Sequence, residues 1–109
     1  MKLIITIVQD DDALDLVDSL TEQGYSVTKL ATTGGFLKAG NTTLLIGIEK
    51  EKVDLVIDVI KDTCETRKGI VSTPTPVSEP TGVYIPYPME VQVGGATIFV
   101  VDVDKFVKL

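Results

Sequence analysis

The chain has 109 residues, 44% of them hydrophobic and 24% charged, which suits one globular domain and excludes both a disordered chain and two ordinary domains. Its net charge is −6 with no basic run, so polymeric nucleic acid and anionic membrane surfaces are poor partners. It has no histidine, which removes the commonest general base and zinc ligand, and its single cysteine, Cys64, cannot form an internal disulfide.

The first residues, Met1-Lys2, lead into an apolar run that stops at Gln9-Asp10 without a small-residue cleavage site. No signal peptide is expected there. No stretch reaches the ~18–20 apolar residues of a membrane span. A cytoplasmic protein is the expectation.

Residues 3–8, Leu-Ile-Ile-Thr-Ile-Val, read as a strand that is apolar on both faces. A helix is predicted from about Asp11. Asp10, Asp11 and Asp12 suit its cap and first turn. Its inward stripe is read as Ala13, Leu14, Val17 and Leu20, with Asp11, Asp15, Asp18 and Glu22 facing out. Gly24 stands where a left-handed residue ends a helix. Tyr25 to Ala31 is the second strand. A glycine-rich loop covers 32–41, and Thr42 to Ile48 is the third strand. The second helix is predicted over Lys50 to Cys64, with Val53, Val56, Ile57, Ile60 and Cys64 on one buried stripe.

From 66 to 88 the pattern breaks. Five prolines (Pro74, Pro76, Pro80, Pro86 and Pro88) with Ser, Thr and Gly between them predict a long Pro-rich loop. Two aromatics in Tyr84-Ile-Pro-Tyr-Pro88 suggest that this arm makes a specific contact. Met89 to Val93 alternates as a strand, Gly94-Gly95 reads as a hairpin turn, and Thr97 to Val103 is the last strand.

The order β-α-β, β-α-β-β predicts one α+β domain over 1–109. Its form is a ferredoxin-like βαββαβ sandwich, with two helices on one face of an antiparallel sheet. The other sheet face is left bare although its strands are apolar. That predicts a homo-oligomer whose sheets face one another.

The loop is the best candidate for chemistry. Gly34, Gly35 and Gly40 allow close backbone approach, and the neighbouring threonines and Asn41 add neutral donors and acceptors. Phe36 and Leu37 lie between the glycines, and a nucleobase has the π-face that Phe36 could cover. The spacing alone leaves two readings open, a ligand loop or a plain connection with Phe36 on the core. It matches neither G-x-x-x-x-G-K-[ST] nor G-x-G-x-x-G. The acidic stripe reads as a solvated helix face, because carboxylates over three turns do not converge on one cation. Cys64 reads as a core cysteine. No catalytic set and no metal-ligand set is read from the chain.

The run Lys29-Leu-Ala-Thr-Thr-Gly-Gly-Phe-Leu-Lys-Ala-Gly-Asn-Thr-Thr43 resembles the signature of the PII-like cyclic-di-AMP receptor proteins. The opening Met-Lys-Leu-Ile-Ile-x-Ile-Val-Gln-Asp10 and the later Tyr84-Ile-Pro-Tyr-Pro-x-Glu-Val-x-Val-Gly-Gly-Ala-Thr97 are similar as well. The resemblance spans essentially the whole chain. It implies a PII-like homotrimer with cyclic-di-AMP in clefts between subunits, and signalling to a downstream protein by conformational change, without catalysis or cofactor. By position, the ligand site would use Thr28, Gly35, Phe36, Leu37, Asn41 and Gly47, together with Ser26 and Phe99. Thr28 and Asn41 would hydrogen-bond the base or phosphate, and Phe36 and Leu37 would pack on adenine. Related sequences carry Arg where this chain has Ser26, so a guanidinium contact would be missing. A PII-type regulator that binds ATP or another mononucleotide is the alternative.

Overall fold

The computed structural model describes residues 1–30, 40–76 and 84–109, with the backbone alone described over 68–76 and 84–91. Strand β1 is Lys2–Gln9, helix α1 is Asp10–Glu22, β2 is Val27–Leu30 and β3 is Asn41–Ile48. A 3₁₀ turn, Lys50–Lys52, leads into helix α2, Val53–Cys64. Then come β4 (Arg67–Pro76), β5 (Tyr84–Val93) and β6 (Ala96–Asp102).

The main sheet has four antiparallel strands in the order β2-β3-β1-β6. This is the strand order of the ferredoxin-like split βαβ plan, with the extra pair β4-β5 inserted before the last strand. Both helices lie on one face. There Ile4 and Val8 of β1, Leu44 and Ile46 of β3, Leu16 and Leu20 of α1, and Val56, Ile60 and Cys64 of α2 form the buried core. Each large apolar side chain buried in this way contributes about 1.5–3 kcal/mol.

The buried stripe of α2 falls where its periodicity places it, with Val56, Ile60 and Cys64 buried and Val53 packed beside them. The stripe of α1 needs correction. Leu14 is 71% exposed, and Leu16 is buried in its place. At about 100° per residue, Leu14 and Leu16 flank the line through Ala13, Val17 and Leu20 on opposite sides, and the buried face is turned towards Leu16 and Asp12. Asp12 is also buried, which its acidic neighbours did not suggest. Gly24 ends α1 as expected, at φ 87°, and its N–H bonds to the Thr21 carbonyl at 3.0 Å.

Two expectations for the second half are overturned. Apart from 77–83, which lie outside the described residues, the stretch expected as a loop is paired strand from Arg67 on: β4 and β5 form a long antiparallel ladder. The prolines permit this through their parity. Pro74 faces Pro86, Pro88 faces Ser72 and Pro76 faces Tyr84, so these four prolines fall on alternate cross-strand pairs of one kind, while Pro80 lies outside the described residues. In antiparallel ladders, alternate pairs exchange no hydrogen bonds and their N–H groups point outward. A residue without an N–H costs nothing there in a two-stranded ribbon. Second, Gly94-Gly95 is not a hairpin turn between β5 and β6, because those strands belong to different sheets. It is a corner at which the chain passes from the hairpin into the main sheet.

Candidate functional site

Cross-strand register assigns each side chain of the main sheet to a face. Ile46 and Leu44 pair with Ile4 and Thr6 on the helix-covered face. The intervening rows face away from the helices. One row runs Thr28, Leu45, Ile5, Phe99 across the four strands. The next runs Leu30, Thr43, Ile7, Thr97, and a third joins Gly47, Leu3 and Val101. Asn41 pairs with Gln9 at the end of this face.

This face is open. Leu30 is 42% exposed, Phe99 52% and Val101 43%, and Leu3, Ile5, Ile7 and Leu45 are half-buried. The expectation of a bare apolar sheet face therefore holds, and the described members of the expected ligand set that lie on the strands all stand on it. Thr28 and Gly47 face solvent on adjacent strands. Ser26, two residues before Thr28, is exposed as well. Phe99 lies on β6, at the opposite edge of the sheet. Three interstrand steps put it about 14 Å from Thr28. Asn41 and Gly47 occupy opposite ends of β3, about 20 Å apart along an extended strand. One chain thus brings Thr28, Ser26 and Gly47 together and holds Asn41 and Phe99 apart from them. Gly35, Phe36 and Leu37 lie outside the described residues.

Gly47 is informative because its own fold does not require it. Its φ is not positive, and among the described residues a Cβ built there meets nothing within 4 Å. Glycine inside a strand is destabilising by roughly 0.5–1 kcal/mol relative to alanine. Strand glycines without a turn or a bulge mark places where a ligand or another backbone comes close.

Around Asn41 the structure adds residues that sequence reasoning missed. A cleft of about 340 Å³ is lined by Gln9, Asn41, Thr97 and the Gly94-Gly95 corner, among others. The Gly94 N–H donates to Gln9 Oε1 at 2.8 Å. The Asp10 N–H donates to the Gly40 carbonyl at 2.8 Å, and the Thr42 hydroxyl donates to the Asp10 carboxylate. Asn41 and the glycine pair were the signals in the sequence for this cleft; Gln9 was marked only by its place in the opening run that carries the family resemblance.

Two ion pairs stand among the described residues, Lys2 with Asp102 across β1 and β6, and Arg67 with Asp12 at the root of the hairpin. Arg67 Nη2 donates to Asp12 Oδ1 at 2.7 Å, and its Nη1 reaches Asp12 Oδ2 at 3.4 Å and the Glu65 carbonyl at 3.2 Å. The Asp12 carboxylate holds the guanidinium still more firmly in its charged form. Cys64 is buried, and burial first, then nearby Asp12, pushes its thiol up to about 11. That is the opposite of an activated thiol and agrees with a core cysteine. Among the described residues no group of three or more His, Cys, Asp or Glu side chains could hold a metal ion, and no helix is long and apolar enough to cross a membrane.

The strand order, the one-sided helices and the open face define a small α+β protein built on the plan of the PII regulators. The chain belongs to the cyclic-di-AMP receptor family, whose model matches residues 1–109. It is 38% identical over 79 residues to the nitrogen fixation nifHD region GlnB-like protein 1 of Methanothermococcus thermolithotrophicus, covering 61% of this chain and 75% of that one. It is also similar to the crystal structure of a functionally unknown protein from Pediococcus pentosaceus, at 47% identity and a TM-score of 0.76, covering 99% of this chain and 96% of that one.

Proposed function

We propose that the protein is a non-catalytic signal receptor that binds cyclic-di-AMP on the open sheet face, in clefts between copies of a homotrimer, and relays the binding to a downstream protein. Membership of the receptor family supports the ligand class. Gly47 is the observation that carries the site: an exposed strand glycine over which an added Cβ would meet none of the described residues leaves room for a close-approaching group. Thr28 and Ser26 beside it offer hydroxyls, which suit a ligand met without strong local positive charge. The distance between Thr28 and Phe99 supports a composite cleft, in which Phe99 comes from a neighbouring copy. Phe36 and Leu37, in the loop that follows β2, are the proposed adenine platform.

Calorimetry on wild type, Gly47→Val and Phe36→Ala with cyclic-di-AMP, cyclic-di-GMP and ATP tests this reading. Cyclic-di-AMP is expected to bind wild type with preference. Both variants are expected to lose at least tenfold in affinity while keeping their thermal midpoints. Heat with ATP alone would replace the reading with a mononucleotide regulator. Unchanged affinity in Gly47→Val would remove the site from this face, and a parallel mass measurement shows whether that variant has lost assembly instead.

A further inference from the structure

We propose that the β1–α1 junction, Gln9 to Asp12, couples the return of the glycine-rich loop to the root of the β4–β5 hairpin. The inference deepens the proposed receptor function, because the loop is the ligand element of that reading. Within these four residues the backbone and side chains face two ways. Towards the loop, the Asp10 N–H bonds the Gly40 carbonyl at 2.8 Å, the Asp10 carboxylate accepts from the Thr42 hydroxyl, and Gln9 pairs with Asn41. Towards the hairpin, Gln9 Oε1 accepts the Gly94 N–H at 2.8 Å and Asp12 receives the Arg67 guanidinium at 2.7 Å.

The two hairpin contacts clamp both strands at their root, since Arg67 begins β4 and Gly94 follows β5. Two features make the clamp responsive. Asp12 is buried, so its ion pair is satisfied only in this geometry, and breaking one partner of such a pair is costly. The corner is also tight: a Cβ on Gly94 would lie 2.6 Å from the Glu65 carbonyl oxygen and from Arg67 Nη1. A shift of Gly40 to Thr42 moves Asp10 in the first turn of α1, and with it the acceptors on either side of it in the chain. Coupling of this kind is reciprocal.

Hydrogen exchange resolved by NMR on the full chain tests it in both directions. Without ligand, Thr42→Val removes the loop-side donor. The Gly94 and Gly95 amides are then expected to exchange at least threefold faster, with the α2 core still protected. Conversely, the double variant Asp12→Asn with Arg67→Gln loosens the hairpin side without leaving an orphan charge. It is expected to speed exchange of the Asp10 amide by a similar factor. If either variant, folded by the α2 criterion, leaves the far amides at wild-type rates, the coupling is overturned. With cyclic-di-AMP added to saturation, the hairpin-root amides of wild type are expected to slow, and the double variant to lose most of that response. Absence of any binding heat with wild type would sink the receptor reading alone, because the ligand-free rates decide the coupling by themselves.

Discussion

Two glycines separate the demands of folding from those of function. Gly94 has φ +83° and no room for a Cβ, so the fold needs it. Gly94→Ala is expected to cost about 1–3 kcal/mol from backbone conformation alone, with steric conflict added. A urea titration would show the lowered midpoint, and an unchanged midpoint would mean that the corner relaxes freely. Gly47 is the opposite case, because an added Cβ would meet none of the described residues and its φ is not positive. Cys64 supplies a pH signature. Its folded pKa, about 11, lies above the ordinary value of 9.0, so the thiol contributes fully to stability below about pH 9. That contribution is lost as pH rises from 9 towards 11, where the unfolded chain ionises first. The stability of wild type should therefore fall more steeply over this window than that of Cys64→Ala; parallel pH dependences would show that the thiol is not buried in solution. Burial of Cys64 was legible in its helical spacing. That of Asp12 was not, because its partner Arg67 lies 55 positions along the chain and no local pattern links them.

The elements that were legible in the sequence have a single periodic signal. Strand β1 is a short apolar run, β3 sets Leu44, Ile46 and Ile48 on one face and α2 repeats its apolar stripe, so order and type followed from the residues alone. The hairpin was hidden because proline is read as a breaker when residues are taken one at a time. Only the pairing shows that four prolines share one parity. This register makes a sharp prediction. Pro74→Ala restores an N–H that points outward, and the Ile85 and Tyr87 amides should keep their protection. Thr73→Pro removes an N–H from the intervening kind of pair, with Tyr87, and protection around that pair should collapse. Equal protection in the two variants would mean that the register is shifted by one residue. Similarly, Gly94-Gly95 reads locally as a turn, and its use as a corner depends on which sheet each flanking strand joins.

At the scale of the whole molecule, the open sheet face and the divided site constrain each other. The open face carries Leu3, Ile5, Ile7, Leu45, Phe99 and Val101 side by side, and contiguous apolar surface of this kind marks interaction sites in soluble proteins. In the proposed homotrimer, other copies of the chain would cover that surface and bring the β6 edge of one copy towards the Thr28 and Gly47 corner of another. Assembly and ligand binding should therefore fail together. Val101→Lys places a charge on the exposed edge of this face, away from the helix-side core, so the monomer fold is expected to survive. Sedimentation velocity should show wild type at a multiple of the 11.7 kDa chain mass and the variant near that mass itself. Cyclic-di-AMP binding should be lost along with assembly. A variant that sediments as a monomer yet binds with wild-type affinity would place the whole site within one chain, and Phe99, some 14 Å from Thr28 by strand spacing, would drop out of it. A wild-type chain that is itself monomeric at micromolar concentration would remove the composite cleft entirely. Thr28, Ser26 and Gly47 would then be the only described members of the expected set still close enough together to share a ligand.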